Sequence, residues 1–180
     1  MIISLLQDLE QQSLTRGIPI IGREKGAWLY EKVKEVQPER ILELGTANGY
    51  SGSILGSDGA ELLTIEIDPG IAREAQDHFD TLSINARIII GDGVSEVQKL
   101  VKEKQNHGSF DIIFIDFAKN KYMDVLKDCL TLVRKGGFII ADNITMAGCQ
   151  DFKQAVLKHS QLKTEIVKIK DGLSCSERIK

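Results

Sequence analysis

The chain has 180 residues and a formal net charge of −3, from 23 Lys and Arg against 26 Asp and Glu. Hydrophobic residues make up 42% of it and charged residues 27%, which is typical of one globular domain. These values argue against a disordered tail, a coiled coil or a collagen-like repeat, and a mildly acidic chain is not typical of a general polyanion binder.

The sequence predicts neither a membrane anchor nor a disulfide framework. No stretch approaches the roughly 18 consecutive apolar residues of a membrane span. The opening MIISLLQDLE has neither the basic start nor the long apolar run of a signal peptide. Cys129, Cys149 and Cys175 are widely spaced and form no Cys-x-x-Cys pair. We therefore expect a cytoplasmic protein with no membrane partner, whose residues 1–36 form a short helical extension.

Short apolar runs rich in isoleucine recur along the chain. Each is too short for a helix and is typical of a buried strand. The five runs are Arg40–Gly45, Leu62–Ile67, Ala86–Ile90, Phe110–Asp116 and Gly137–Asp142. Helical spacing between the runs predicts an α/β fold, a doubly wound (Rossmann-like) sheet that is mostly parallel and has helices on both faces.

Three segments between the later runs have the spacing of helices. Their apolar positions are Ala72, Ala75 and Phe79 in the first, Val94, Val97, Leu100 and Val101 in the second, and Tyr122, Leu126, Leu130 and Val133 in the third. Pro69 stands early in the first segment, where a helix tolerates proline well. We expect Gly136-Gly137 to end the third.

The last part of the chain has a different pattern. Leu162 to Lys170 alternates apolar and polar residues, Asp171-Gly172 is a turn signal, and Leu173 to Ile179 follows. This pattern predicts an antiparallel hairpin at the edge of the sheet.

A glycine-rich loop follows the first predicted strand. Its sequence, Glu43-Leu-Gly-Thr-Ala-Asn-Gly-Tyr-Ser-Gly52, has the spacing Gly-x-x-x-Gly-x-x-Gly. Glycines there let a ligand approach the backbone and the helix N–H groups. The spacing does not match the dinucleotide fingerprint, and no phosphate-loop Gly-Lys-Ser/Thr is present. Alone, the loop is a weak signal, because a tight turn from strand to helix also accounts for it.

Acidic residues close the second and third strands. Glu66 is placed to accept hydrogen bonds from both ribose hydroxyls of a nucleoside. Asp68, two residues later, fits better as a carboxylate at a helix start. Asp92, in Gly91-Asp92-Gly93, could accept from an adenine amine or simply cap the following helix.

These features together resemble the class I S-adenosylmethionine-dependent methyltransferases. In that family Glu-Leu-Gly-x-x-x-Gly is the first motif, the acid that closes strand two holds the ribose, and Gly-Asp meets the adenine. Ala47 stands where many members have the middle glycine. The resemblance implies that residues 1–180 form a single class I methyltransferase domain.

Two more acids close the fourth and fifth strands. Asp116 and Asp142 are expected at the carboxyl ends of neighbouring strands, about 4.8 Å apart, where such folds bind ligands. Two carboxylates crowded there repel each other unless a cation joins them. With the Asn143 amide they form an all-oxygen set that suits Mg²⁺, and Ca²⁺ or Mn²⁺ remain open. Lys119 could reach a substrate hydroxyl at this site, or be an ordinary solvated lysine.

The combination resembles the cation-dependent O-methyltransferases of the catechol and caffeoyl-CoA type across nearly the whole chain. The matching motifs are Ile21-Gly22-x-x-x-Gly26, Glu43-Leu-Gly45, Gly49-Tyr50-Ser51, Thr64-Ile-Glu66-Ile67, Gly91-Asp92, Asp116-x-x-Lys119, Tyr122, Asp142-Asn143 and Asp171-Gly172-Leu173. Ser174 occupies a position that is a carboxylate in the catechol enzyme.

The resemblance implies a role for each matched residue. Lys119 would be the general base, and Asp116, Asp142 and Asn143 would hold the divalent cation, Mg²⁺ by expectation. The cofactor S-adenosylmethionine would be bound by Ile21, Glu43, Gly45, Thr46, Gly49, Tyr50, Ser51, Glu66, Ile67, Asp92, Gly93 and Asp116. The expected reaction moves a methyl group to a metal-bound hydroxyl of a small substrate, aromatic or a vicinal diol.

Other functions remain open from the sequence. A bacterial branch of the resembled family methylates a tRNA hydroxyuridine, and Arg16, Arg23, Lys25, Lys119 and Lys121 could form a local basic mouth for tRNA. A non-catalytic nucleotide-binding module and an aminopropyl transferase are the rivals of other classes. A homodimer is the oligomeric state expected from the resemblance.

Overall fold

The computed structural model describes residues 2–180. Its strands are β1 (Arg40–Leu44), β2 (Glu61–Glu66), β3 (Ala86–Ile90), β4 (Phe110–Ile115), β5 (Val133–Asp142), β6 (Leu162–Val167) and β7 (Leu173–Arg178). Its α-helices are α1 (Ile2–Leu5), α2 (Gln7–Arg16), α3 (Gly22–Val36), α4 (Tyr50–Leu55), α5 (Pro69–Thr81), α6 (Gly93–Lys102), α7 (Tyr122–Leu132) and α8 (Gln150–Lys158).

The strands form a seven-stranded sheet in the order β3-β2-β1-β4-β5-β7-β6. β2 pairs in parallel with β1 and β3, and β4 pairs in parallel with β5. β7 runs antiparallel to both β5 and β6. The predicted fold class, a mostly parallel doubly wound sheet with an antiparallel C-terminal hairpin, is confirmed.

The chain divides into two compact units, one up to Gly91 and one from Asp92. In the first, β1 and β2 are almost fully buried, and α3 to α5 supply apolar side chains such as Leu29, Ile54 and Phe79. In the second, β4 and the end of β5 are buried beside Val125 and Cys129 of α7 and Phe152 of α8. Within residues 2–180, no helix is both long enough and apolar enough to cross a bilayer.

The boundary between α7 and β5 differs from the prediction. Val133 is not the last apolar position of the helix but the first residue of the strand, with φ −72° and ψ 139°. It pairs with Phe110, and the register then shifts so that Ile112 pairs with Phe138. Gly137 sits in this irregularity, where an added Cβ would lie 2.8 Å from the Asp111 carbonyl oxygen. Strand pairing therefore ends the helix before the glycines are reached.

The start of α5 agrees with the role expected for Asp68. Its carboxylate accepts hydrogen bonds from the backbone N–H groups of Gly70 and Ile71, at 2.7 and 3.0 Å. An Asp68→Ala variant should lose about 1 kcal/mol of stability, which is a fall of roughly 2–4 °C in the unfolding midpoint. Asp77→Ala, on the exposed face of the same helix, is the matched control and should not lower the midpoint. Equal midpoints for the two variants would contradict the capping role.

Candidate active site

The glycine loop after β1 takes a left-handed backbone at alternate residues. Gly45, Ala47 and Gly49 have φ of 100°, 45° and 89°. Glycine adopts such angles without a steric penalty, whereas Ala47 is held there by its surroundings. The N–H groups of Gly45 and Thr46 both point to the Ile65 carbonyl, at 3.0 and 3.3 Å. The loop is therefore tied to the end of β2.

Glu66 closes β2 and is held by the same loop. Its Oε2 accepts from the N–H of Ala47 at 2.9 Å, and its Oε1 accepts from the N–H groups of Ile67 and Asp68 at 2.9 and 3.0 Å. A carboxylate has about four acceptor positions, so some remain for a ligand. Ile67 is 69% exposed beside it. The result is a fixed carboxylate next to an apolar side chain that is open to solvent.

Glu43 lies beneath the loop and is fully buried. Ser51 donates to its Oε1 at 2.6 Å and Thr64 donates to its Oε2 at 2.7 Å. Thr46 and Thr64 hydroxyls are 2.5 Å apart, and Thr46 must donate because Thr64 spends its proton on Glu43. This buried network connects β1, β2 and α4 below the glycines.

Gly52 leaves no room for a side chain beside this network. An added Cβ would lie 2.7 Å from Phe79 Cζ and 2.9 Å from Glu43 Oε2. Gly52→Ala should therefore lower the free energy of unfolding by about 2 kcal/mol. Gly17→Ala is the control, because nothing lies within 4 Å of its added Cβ and it meets only the strain of φ 68°. If a denaturant titration gives Gly52→Ala the same free energy of unfolding as the wild type, the predicted crowding at Gly52 is wrong.

Asn48 anchors the other side of the loop. The side-chain NH2 of Asn48 donates to the Ser13 hydroxyl of α2 at 2.7 Å. The backbone carbonyl of Asn48 accepts from His78 Nδ1 of α5 at 2.9 Å. The Asn48 Oδ1 is buried with no hydrogen-bond partner. Neither contact belongs to a motif in the sequence, so these long-range anchors were not predicted.

The other residues predicted near the loop have varied exposure. Ile21, just before α3, is 4% exposed, and Ser51 is 8% exposed. Tyr50 is 1% exposed, its hydroxyl has no partner, and burial raises its pKa to about 12. Ile21, Ser51 and Tyr50 are thus buried, whereas Ile67 is open to solvent.

In the second unit, Asp116 and Asp142 lie at the carboxyl ends of two paired strands. Ile115 pairs with Ala141 in the parallel register of β4 and β5, and the residue after each is an aspartate: Asp116 directly follows β4, and Asp142 is the last residue of β5. Asp142 is 2% exposed. Lys119 Nζ contacts Asp116 Oδ1 at 2.5 Å, and the two side chains are 27% and 16% exposed. The side-chain nitrogen of Lys119 is therefore in direct contact with Asp116.

Asn143 follows in a left-handed backbone conformation, with φ 55°. Its N–H donates to Asp142 Oδ1 at 2.7 Å, and its side-chain NH2 donates to Asp171 Oδ2 in the turn between β6 and β7. Because the amide nitrogen is used in this way, the amide oxygen is the end left to bind a ligand.

Tyr122 is fully buried near the same acids, and its hydroxyl has no partner. Burial raises the pKa of this phenol, and the charges of Asp116, Asp142 and Asp171 add to the effect. Its ring stacks on Phe117 and meets Phe152 edge-on, at centroid distances of 5.7 and 5.5 Å. The neutral phenol of Tyr122 is therefore held in place by aromatic packing, close to Asp116 and Asp142.

The donor set fits a hard divalent cation. Asp116, Asp142 and Asn143 offer only oxygens, and such a set suits Mg²⁺ when water or substrate completes the shell. Among residues 2–180, no group of three or more His, Cys, Asp or Glu is arranged to hold a metal ion. A cation here would thus need the Asn143 amide oxygen in addition to the two carboxylates.

The comparisons with known proteins point to one family. A family described as O-methyltransferase matches residues 3–180. The chain belongs to the O-methyltransferase family. It is 32% identical over 171 residues to catechol O-methyltransferase B of Danio rerio, which covers 87% of this chain and 64% of the relative. It is 34% identical over 139 residues to the catechol O-methyltransferase of Sus scrofa, with 73% and 74% covered.

The structural comparison agrees on the fold. The O-methyltransferase TomG from Streptomyces achromogenes, solved in complex with SAM, superposes with a TM-score of 0.87 at 20% identity, over 97% of this chain and 89% of that one. This O-methyltransferase family member spans slightly less than two thirds of the length of the Danio rerio relative.

Two predicted residues of this family member have a structural role at a helix start. Asp92 caps α6, because its Oδ2 accepts from the N–H and the hydroxyl of Ser95 at 2.9 and 2.8 Å. These bonds lower its pKa. Gly93 follows, and an added Cβ would lie 3.1 Å from the Phe117 ring. Capping was one of the two roles considered for Asp92, and Oδ1 remains for another partner.

Proposed function

We propose that the chain is an S-adenosylmethionine-dependent O-methyltransferase that uses a divalent cation and acts on a small hydroxyl acceptor, best a vicinal diol such as a catechol. Family membership and the catechol O-methyltransferase relatives support the reaction type. The acid pair Asp116 and Asp142, in register at adjacent strand ends and followed by the oriented Asn143 amide, is the observation that carries the cation dependence.

The residues predicted to bind the cofactor keep that role in this proposal. S-adenosylmethionine would supply a methyl group activated on a sulfonium sulfur. Glu66 would accept from both ribose hydroxyls, with Ile67 against the adenine. The loop from Gly45 to Gly49 would face the methionine end. Glu43 and Ser51 belong to the buried network beneath that loop, and Ile21, Tyr50, Asp92, Gly93 and Asp116 complete the proposed set.

The acceptor would bind at the site formed by Asp116, Asp142 and Asn143. A divalent cation held by Asp116, Asp142 and Asn143 would bind the acceptor and lower the pKa of its hydroxyl. Lys119, whose Nζ lies beside Asp116, would act as the neutral amine and take the hydroxyl proton. When bound, the cofactor would supply the methyl carbon that bonds to the acceptor oxygen, and its sulfur would be the leaving group. The chain contributes mainly by positioning the two reactants and excluding water.

A methyl-transfer screen with labelled cofactor tests the proposal. The acceptors are catechols, monophenols matched in shape, hydroxycinnamoyl thioesters and undermodified tRNA, each with Mg²⁺ and with EDTA. We expect label in the catechol product with Mg²⁺ alone. Transfer that is equal with Mg²⁺ and EDTA would refute the cation dependence, and label only in tRNA would replace the proposed acceptor.

A further inference from the structure

We propose that Asp171 is a positioning residue for the cation site: its carboxylate holds the side-chain NH2 of Asn143, so that the amide oxygen of Asn143 faces the cation. The inference rests on the proposed function and gives a role to a residue for which the sequence analysis named only a hairpin turn and a matching motif. Asp171 lies 28 positions along the chain from Asn143 and reaches it from the turn between β6 and β7.

The chemistry of the two side chains fixes the orientation. An ionised carboxylate can only accept hydrogen bonds, and a carboxamide has one accepting end and one donating end. The end that meets Asp171 must therefore be the NH2. A hard cation binds only the oxygen end. Without the carboxylate, the amide could turn over and present its NH2 to the cation.

The backbone of Asn143 is fixed, so the freedom that remains is in its side-chain torsions. The residue is fixed in the left-handed region at φ 55°, and its N–H is bound to Asp142 Oδ1 at 2.7 Å. The side chain of Asn143 thus starts from a fixed point beside the acid pair. Partners of metal ligands that fix orientation in this way typically change metal affinity by 10–100-fold when they are removed.

Hydrogen bonds of backbone groups hold the turn that carries Asp171. The Asp171 carbonyl accepts from the N–H and the hydroxyl of Thr145, at 3.0 and 2.9 Å. The Gly172 carbonyl accepts from the Ile144 N–H at 3.2 Å. Gly172 has φ 75°, and an added Cβ would lie 3.1 Å from Ile144 Cγ2. The two loops should thus stay docked when only the Asp171 carboxylate is removed.

Manganese binding gives a readout that does not depend on turnover. Mn²⁺ alone is titrated into the full chain, and free Mn²⁺ is followed by electron paramagnetic resonance. Asp171→Ala should weaken Mn²⁺ binding by about 10–100-fold. Asp171→Asn keeps an oxygen that accepts from the Asn143 NH2, so it should stay within about fivefold of the wild type. Thr145→Val, which removes only a bond to the turn backbone, should bind as the wild type does.

A double-mutant comparison separates orientation from charge. If Asp171 acts through the amide, Asn143→Ala and Asn143→Ala/Asp171→Ala should bind Mn²⁺ equally. Further weakening in the double variant, or an Asp171→Asn variant as weak as Asp171→Ala, would overturn the orientation role. If Asp171→Ala does not fold, Asp171→Ser replaces it, since serine suits turns and is too short to reach the amide.

The outcomes also separate this inference from the proposed function. A wild-type chain that binds no Mn²⁺ overturns the cation site and the inference with it. A wild-type chain that binds Mn²⁺, with binding lost in Asp142→Ala and unchanged in Asp171→Ala, overturns the role of Asp171 alone.

Discussion

An Asp142→Ala variant should lose methyl transfer by at least about 100-fold while it keeps its affinity for the cofactor. Asp142 is 2% exposed and supplies one of the two carboxylates of the proposed cation site. Its removal takes away a charged ligand and also frees the Asn143 N–H that it binds at 2.7 Å. Initial rates with labelled S-adenosylmethionine and calorimetry with S-adenosylhomocysteine measure the two properties separately.

Two further variants test whether the loss of activity comes from the missing charge at Asp142. Asp142→Asn preserves the shape of the buried side chain and should also lose activity, because the charge is gone. Asp151→Ala removes an exposed carboxylate from α8, with the same change in net charge, and should keep full activity. Full activity of Asp142→Ala, with Mg²⁺ or in EDTA, would exclude a cation held at this place.

The second large effect is expected at Glu66. Its carboxylate is already fixed by three backbone N–H groups, so the proposed bonds to the ribose would form with little loss of side-chain entropy. Glu66→Ala should weaken binding of S-adenosylhomocysteine by about 3 kcal/mol, which is roughly 100-fold. Calorimetry gives this affinity directly.

Glu61→Ala is the matched control for Glu66. Glu61 begins the same strand at its other end and makes an exposed ion pair with Arg40 at 3.3 Å. Such a pair contributes little to stability, and its loss should leave cofactor affinity unchanged. If both variants bind S-adenosylhomocysteine as the wild type does, the ribose is not held by Glu66.

The sequence predicts the sheet well because its signals are local. Isoleucine-rich runs mark β1 to β5, Asp171-Gly172 marks the last hairpin, and Asp68-Pro69 marks the start of α5. The end of α7 is different, because Val133 fits a helical spacing as well as a strand. Its pairing with Phe110 decides the outcome, and a contact over 23 positions leaves no periodicity to detect.

In the candidate site too, local patterns can be predicted from the sequence, whereas contacts between distant segments cannot. Asp116 and Asp142 can be paired from the sequence, since Asp116 directly follows β4, Asp142 ends β5, and the two strands are neighbours. The hydrogen bonds of Asn143 to Asp171 and of Asn48 to Ser13 join distant segments, and no sequence motif predicts them. These supporting contacts depend on how loops dock, which residue spacing does not encode.

The most direct test of the central claim is metal depletion and restoration in a single enzyme preparation. The wild-type chain is stripped with EDTA and dialysed, and transfer of labelled methyl to a catechol is followed as Mg²⁺ is titrated back. We predict no transfer before addition and a saturable return of activity, with one methyl group on one of the two neighbouring oxygens. Full transfer in the stripped protein, with no response to added Mg²⁺, would contradict the account.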